Sequence, residues 1–320
     1  MVVLQSGLRL GFPQVPLREP RSKGRVESMI DVRQGDSRLI LTDAAWDVLI
    51  TDPPYREHVH KAATSCGTPG ARPSTAMKGA AHRDLGFVPI GDELRIWTCQ
   101  AAARTKRWSV IYSDTESVGA WKDQLEAAGA TYIRAIPWVR WSMPQLSGDR
   151  PPQGHEMIIL AWGTAKGAKS WNGPGNLTHL AHTCMRGKEK HKTQKPLDQV
   201  LDLVEYFSNP GEMVCDPFLG SGTTALASAL LSRQFVGCEL DAEWALKAKS
   251  RANGARVYDD EDRYARYKEC AALRVKDMER MAANTTRIVA NRAAALAREA
   301  DAEQDERFGD ERMNCGSGEG

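Results

Sequence analysis

Met213-Val214-Cys215-Asp216-Pro217-Phe218-Leu219-Gly220-Ser221-Gly222-Thr223-Thr224-Ala225 passes from a short apolar run, through a loop with two glycines, into a segment of helical composition. Strand, tight turn and helix in that order are the context that makes a Gly-x-Gly-x-x-Ala sequence a ligand-binding signal. Glycine lets the main chain approach a bound group. The helix N-terminus at Thr223 offers unpaired N–H groups and partial positive charge to a pyrophosphate or a carboxylate. The next apolar run, 234–239, ends in Glu239, at about the distance expected of a carboxylate that grips two ribose hydroxyls. On these residues alone the bound group is either a dinucleotide or S-adenosylmethionine.

Outward from this loop, strand-like runs at 28–32, 46–51, 108–112, 132–138 and 156–162 alternate with helical patterns at 93–103, 118–128 and 197–207, and a short helix separates the first two strands. This alternation predicts an α/β protein with a doubly wound, mostly parallel sheet. The run Trp46-Asp47-Val48-Leu49-Ile50-Thr51 is followed by Asp52-Pro53-Pro54-Tyr55. Proline fixes its own φ and disfavours helix for the residue before it, so Asp52 and Pro53 are extended where a strand ends and a loop begins. Ligands bind at that end of a strand in open α/β sheets. A carboxylate, a stiff backbone and an aromatic ring together suit the capture of a flat amine.

The chain has 320 residues, 42% of them hydrophobic, enough for one sizeable core with an appendage. Its formal net charge is +2, so any contact with nucleic acid depends on local clusters rather than on the overall balance. The seven cysteines form no C-x-x-C pair and are odd in number, which suits reduced thiols in a cytoplasmic protein. His179, His182 and Cys184 lie close in sequence, but no second ligand group completes a metal site. No signal-peptide core and no run approaching 18 apolar residues is found.

Residues 1–25 read as a loose arm, and 26–162 as the first half of a globular domain interrupted by a long basic loop at 56–90. Residues 163–190 read as a short surface insert, 191–254 as the half that carries the glycine loop, and 255–320 as a helical, partly disordered tail rich in Ala, Arg, Glu and Asp.

Asp52-Pro53-Pro54-Tyr55, His191-Lys192-Thr193-Gln194-Lys195-Pro196 and the 216–224 loop, in this order, resemble the beta group of DNA amino-methyltransferases. The resemblance covers residues 28–250. It implies a Rossmann-like class I methyltransferase fold with a small recognition insert, and S-adenosylmethionine as cofactor. On it Asp216, Phe218, Gly220, Gly222 and Thr223 line the cofactor pocket, Glu239 meets the ribose, Asp36 lies near the adenine edge, and Lys195 and Pro196 close the methionine end. Asp52, Pro53, Pro54 and Tyr55 form the catalytic tetrapeptide. The carboxylate of Asp52 and the main-chain carbonyl of Pro53 each accept one hydrogen of a flipped base's amine, and Tyr55 stacks on that base. Arg56 and Lys61 in the basic loop, with Arg140, Trp171, Arg186 and Lys188, are the candidate DNA contacts, and Trp138 and Trp141 are candidate wedges.

The partner implied is double-stranded DNA, with a homodimer and a companion restriction endonuclease kept open. Asp at the first position of the tetrapeptide favours adenine N6. Cytosine N4, an RNA adenine and a non-catalytic nucleic-acid-binding subunit remain the alternatives, and a nicotinamide dehydrogenase lacks any catalytic pair.

Overall fold

The computed structural model describes residues 29–56, 89–141, 154–183 except 174, 176 and 177, 194–259 and a broken series within 261–298. The strands are β1 (Ile30–Gln34), β2 (Val48–Thr51), β3 (Trp108–Ser113), β4 (Thr131–Trp141), β5 (His155–Trp162), β6 (Leu180–Thr183), β7 (Met213–Asp216) and β8 (Gln234–Glu239). The helices are α1 (Ser37–Ile40), α2 (Asp92–Arg104), α3 (Val118–Ala127), α4 (Leu197–Phe207), α5 (Thr223–Leu230) and α6 (Ala242–Asn253). Among the described residues, these eight strands form one sheet in the order β1-β8-β7-β2-β3-β5-β4-β6.

Only β5 runs against the rest: it is antiparallel to β3 and to β4, whereas every other neighbouring pair is parallel. The doubly wound sheet is as expected, with this one reversal. Strands buried on both faces are apolar in either direction, so hydrophobicity does not encode their sense. A second difference concerns the insert at 163–190, because Leu180–Thr183 is a strand that extends the sheet beside β4 rather than surface chain. Helix α6, for which no separate pattern was assigned, completes the half that carries the glycine loop.

The pleat sorts the apolar side chains into two layers. Val48, Ile50, Val110, Tyr112, Ile158 and Leu160 face α4 and α5. Leu49, Ile111, Ile159 and Ala161 face the other way, onto residues of α2 and α3 such as Cys99, Ala102, Trp121 and Leu125. Helix α2 begins with Asp92 and Glu93 and ends with Arg104, charges that complement its dipole. Among the described residues no helix is long and apolar enough to cross a membrane.

At the centre, β7 and β2 are neighbours, but the chain leaves β7 for β8 on one side and leaves β2 for β3 on the other. The strand order therefore reverses between them, which opens a crevice at their carboxyl ends. The hydroxyl of Thr51, the last residue of β2, donates to Oδ1 of Asp216, the last of β7, at 2.8 Å and ties the two ends together. Beyond α6 the tail is anchored by Arg266, whose Nη2 lies 3.1 Å from Asp202 and 3.5 Å from Glu205 on α4. Residues 285–298 are helical and exposed.

Candidate active site

Asp52 follows β2 directly and its side chain is 25% exposed at the crevice. Pro53 behind it is buried, and the Tyr55 carbonyl accepts the N–H of Ile90, which fixes the end of the tetrapeptide. Lys195, immediately before α4, reaches across so that its Nζ lies 2.7 Å from Asp52 Oδ2. The same ammonium lies 3.3 Å from Glu156 Oε2 and faces the rings of Tyr112, Tyr55 and Trp138, with centroids at 4.7, 5.4 and 5.9 Å. The Tyr55 hydroxyl donates to Glu156 Oε2 at 2.5 Å. The arrangement is an aromatic box around one cation and two carboxylates.

Three of these residues, Glu156, Tyr112 and Trp138, were not read from the sequence as part of the catalytic group. The reversal of β5 explains Glu156. A parallel β5 would present its first residues at the opposite edge of the sheet, whereas the antiparallel strand opens beside the ends of β3 and β4, with Met157 opposite Ser113 and Glu156 opposite Trp138. Trp138 is 2% exposed and meets Tyr112 edge to face at 6.1 Å, so it forms the wall of the box rather than a surface wedge.

The electrostatics follow from burial. Desolvation pushes the Asp52 carboxyl above the usual carboxylate range; Lys195 opposes this and Glu156 adds to it. Burial by itself would lower the pKa of Lys195, but Asp52 and Glu156 together outweigh it and hold the side chain as an ammonium. Asp216 is pushed up to about 6, again chiefly by burial, against hydrogen bonds from Thr224, Thr51 and the Phe218 N–H.

The glycine loop lies beside this box. Gly220 and Gly222 have φ of +53° and +82°, in the left-handed region that favours glycine. The Gly220 N–H donates to Glu239 Oε2 at 2.7 Å and the Asp241 N–H to Oε1 at 2.9 Å, so the carboxylate is fixed against the loop. Gly222 serves packing. A Cβ there would lie 2.5 Å from that of Ala248 on α6, and its N–H is used by the Leu219 carbonyl. Helix α5 starts without a side-chain cap or an acidic residue, which leaves its first N–H groups to an anion. Thr223 at that start accepts from Arg251 at 3.5 Å and donates to the Lys195 carbonyl at 3.5 Å, which links the loop to the segment that carries Lys195 and Pro196.

Half-buried Phe218 meets Trp97 of α2 edge to face at 6.4 Å and supplies an apolar wall. Asp36 follows β1 at the same edge, next to Glu239 through the Gly35 N–H. Its carboxylate caps α1 and pairs with Arg38, whose hydrogen bond lowers its pKa. A carboxylate for ribose hydroxyls, an apolar aromatic wall for a purine and a bare helix N-terminus for a carboxylate form a set that fits S-adenosylmethionine.

The candidate DNA contacts are less well assembled. Arg56 is tied to the buried Asp114 at 3.1 Å and to Glu116 at 3.9 Å. Trp171 is half-buried against Tyr206 and Phe207, with centroids 6.3 and 5.9 Å away, so it packs on α4 instead of standing free. The main chain of Arg140 pairs with His182 between β4 and β6. Its side chain, and all of Lys61, Trp141's side chain, Cys184, Arg186 and Lys188, lie outside the described residues.

A family model described as DNA methylase, of the N6 and N4 type, matches residues 46–250, which include both the box and the glycine loop. The chain belongs to this DNA methylase family. Among curated relatives it is 36% identical over 130 residues to the type II methyltransferase M1.MboII of Moraxella bovis, covering 36% of this chain and 47% of that protein. It is 34% identical over 91 residues to the DNA adenine methyltransferase YhdJ of Escherichia coli (strain K12), covering 28% of this chain and 31% of that protein. The matches thus span about half or less of these relatives' lengths. Among solved structures, the complex of M1.HpyAVI with SAM superposes with a TM-score of 0.53 and 27% identity, covering 70% of this chain and all of that one. The Rossmann-like class I methyltransferase fold is therefore shared.

Proposed function

We propose that this DNA methylase transfers the methyl group of S-adenosylmethionine to the exocyclic N6 amine of an adenine flipped out of DNA. The observation that carries this reading is the mostly buried Asp52 carboxylate, held in an aromatic box at the strand reversal beside the glycine loop. When bound, the cofactor would supply an electrophilic methyl on a sulfonium, its C–S bond breaking to leave a thioether as the N–C bond forms, and the methylated amine would then lose one proton to water.

The amine is a poor nucleophile because its lone pair is delocalised into the ring. Asp52 and the Pro53 carbonyl each accept one of its hydrogens, which favours a tetrahedral nitrogen whose lone pair points at the methyl group. These bonds strengthen as positive charge develops on nitrogen, so they stabilise the transition state more than the bound base. The two prolines keep both acceptors from turning away. Tyr55, held by its hydrogen bond to Glu156, offers a face for the base. Glu239, Phe218, Gly220, Thr223 and the start of α5 hold the cofactor, with Asp216, Asp36, Lys195 and Pro196 around it. Arg56, Lys61, Arg140, Arg186 and Lys188 remain proposed phosphate contacts, and Trp171 a proposed rim residue.

Support for adenine comes from Asp at the head of the tetrapeptide and from the adenine activity named for the E. coli relative. Cytosine N4 is the second reading, since it presents the same two hydrogens to the same acceptors. Sequencing genomic DNA from cells that express the protein, with detection of modified bases, tests both. N6-methyladenine at a defined site is expected; N4-methylcytosine alone would replace the adenine assignment.

A further inference from the structure

We infer that Glu156 is a positioning residue for methyl transfer: it neutralises the Lys195 ammonium and so leaves the charge of Asp52 to the amine. The inference rests on the amine-transfer reading above. The ammonium sits 2.7 Å from the same Asp52 carboxylate that has to accept the amine hydrogen. A cation is the stronger donor, and one so close opposes the positive charge that builds on the amine nitrogen beside a sulfonium.

Glu156, 3.3 Å from the same Nζ, offsets this. With Asp52 and Glu156 ionised and Lys195 protonated, the box carries a net charge of one negative, the amount that balances a single sulfonium. A shift of the ammonium toward Glu156 lengthens and weakens its contact with the Asp52 oxygen. The aromatic faces of Tyr112, Tyr55 and Trp138 accompany the cation along this path. Since Glu156 also receives the Tyr55 hydroxyl, the same carboxylate sets the stacking ring.

The charge count makes a rescue test available. Glu156→Gln leaves the box neutral, and Lys195→Met leaves it doubly negative; the two together return it to one negative. Single-turnover transfer of labelled methyl from saturating S-adenosylmethionine to unmethylated plasmid DNA reads the effect, with cofactor affinity measured by calorimetry on each variant. Glu156→Gln is expected to slow transfer about tenfold or more, because the ammonium is then left to Asp52 alone. Glu156→Gln should keep cofactor affinity within about twofold, and the double variant should recover to within about threefold of the wild type, a non-additivity that reports direct coupling. A double variant slower than both singles, or a Glu156→Gln loss below about twofold, overturns the inference. If Lys195→Met does not fold, Lys195→Gln carries the same charge change. Should the wild type itself place no methyl on DNA, the amine-transfer reading fails and not merely the role of Glu156.

Discussion

Asp52→Asn isolates the charge on which the mechanism depends. The amide keeps the shape of the carboxylate and one acceptor oxygen, but loses the negative charge and adds a donor that points at the amine hydrogens. Removing one preorganised transition-state partner of this kind costs about 2.7–4 kcal/mol, or about 10² to 10³ in rate. The structure places the loss near the upper end, because Asp52 is mostly buried and faces the ammonium at 2.7 Å, where water screens little.

Folding should hardly change. Burial raises the Asp52 pKa, so its ionised form is a cost to the folded state, and losing that cost offsets the lost contact with Lys195, which keeps Glu156. Unfolding free energy is therefore expected to shift by no more than about 1 kcal/mol. The assay is single-turnover transfer of labelled methyl to DNA, with cofactor binding by calorimetry and stability by urea titration. A variant that folds, binds cofactor and transfers within about tenfold of the wild type would refute the role given to the carboxylate.

Gly222→Ala should lower both stability and cofactor affinity, since φ is +82° and the new methyl would lie 2.5 Å from that of Ala248; strain and overpacking together cost about 2 kcal/mol or more, and an unchanged melting temperature would contradict the packing argument. Asp216, at about 6 in the fold, lies above an unfolded carboxyl, so its ionisation costs nothing below about pH 4 and progressively more as the pH rises through 6. Asp216→Asn should therefore gain on the wild type by about 2 kcal/mol between pH 4 and pH 7.5 in urea titrations; a flat difference would speak against it. Arg266→Ala leaves Asp202 buried without the guanidinium 3.1 Å away and should cost about 3–5 kcal/mol, whereas a loss below about 1 kcal/mol would mean that the tail does not brace α4.

Motifs that combine a backbone constraint with a chemical group were legible in the sequence. Asp52-Pro53 is extended for reasons internal to proline, and Gly220 and Glu239 declare themselves by spacing along a strand, turn and helix. Relations between distant segments were not. Nothing in the apolar run 156–162 distinguishes an antiparallel strand from a parallel one, and that direction alone decides whether Glu156 faces Lys195 or lies across the sheet. Gly222 was read as room for a ligand, yet the neighbour that fills the space is Ala248, on a helix without a marked sequence pattern. Trp138 and Trp171 show the converse. An aromatic near basic residues suggests a surface role until the fold reveals Tyr112 against the one and Phe207 against the other. Leu180–Thr183 was hidden because a strand of four residues amid Gly, Lys and Asn has no periodicity to detect.

The most direct test of the central claim is the identity of the methylated atom. Purified protein, duplex DNA and S-adenosylmethionine with a labelled methyl group are incubated, the DNA is digested to nucleosides, and the labelled product is identified by mass spectrometry. The mechanism requires the label on an exocyclic amine and, with Asp52 at the head of the tetrapeptide, on N6 of adenine. Label on a ring carbon or ring nitrogen, or DNA without label from an enzyme that binds the cofactor, would contradict it.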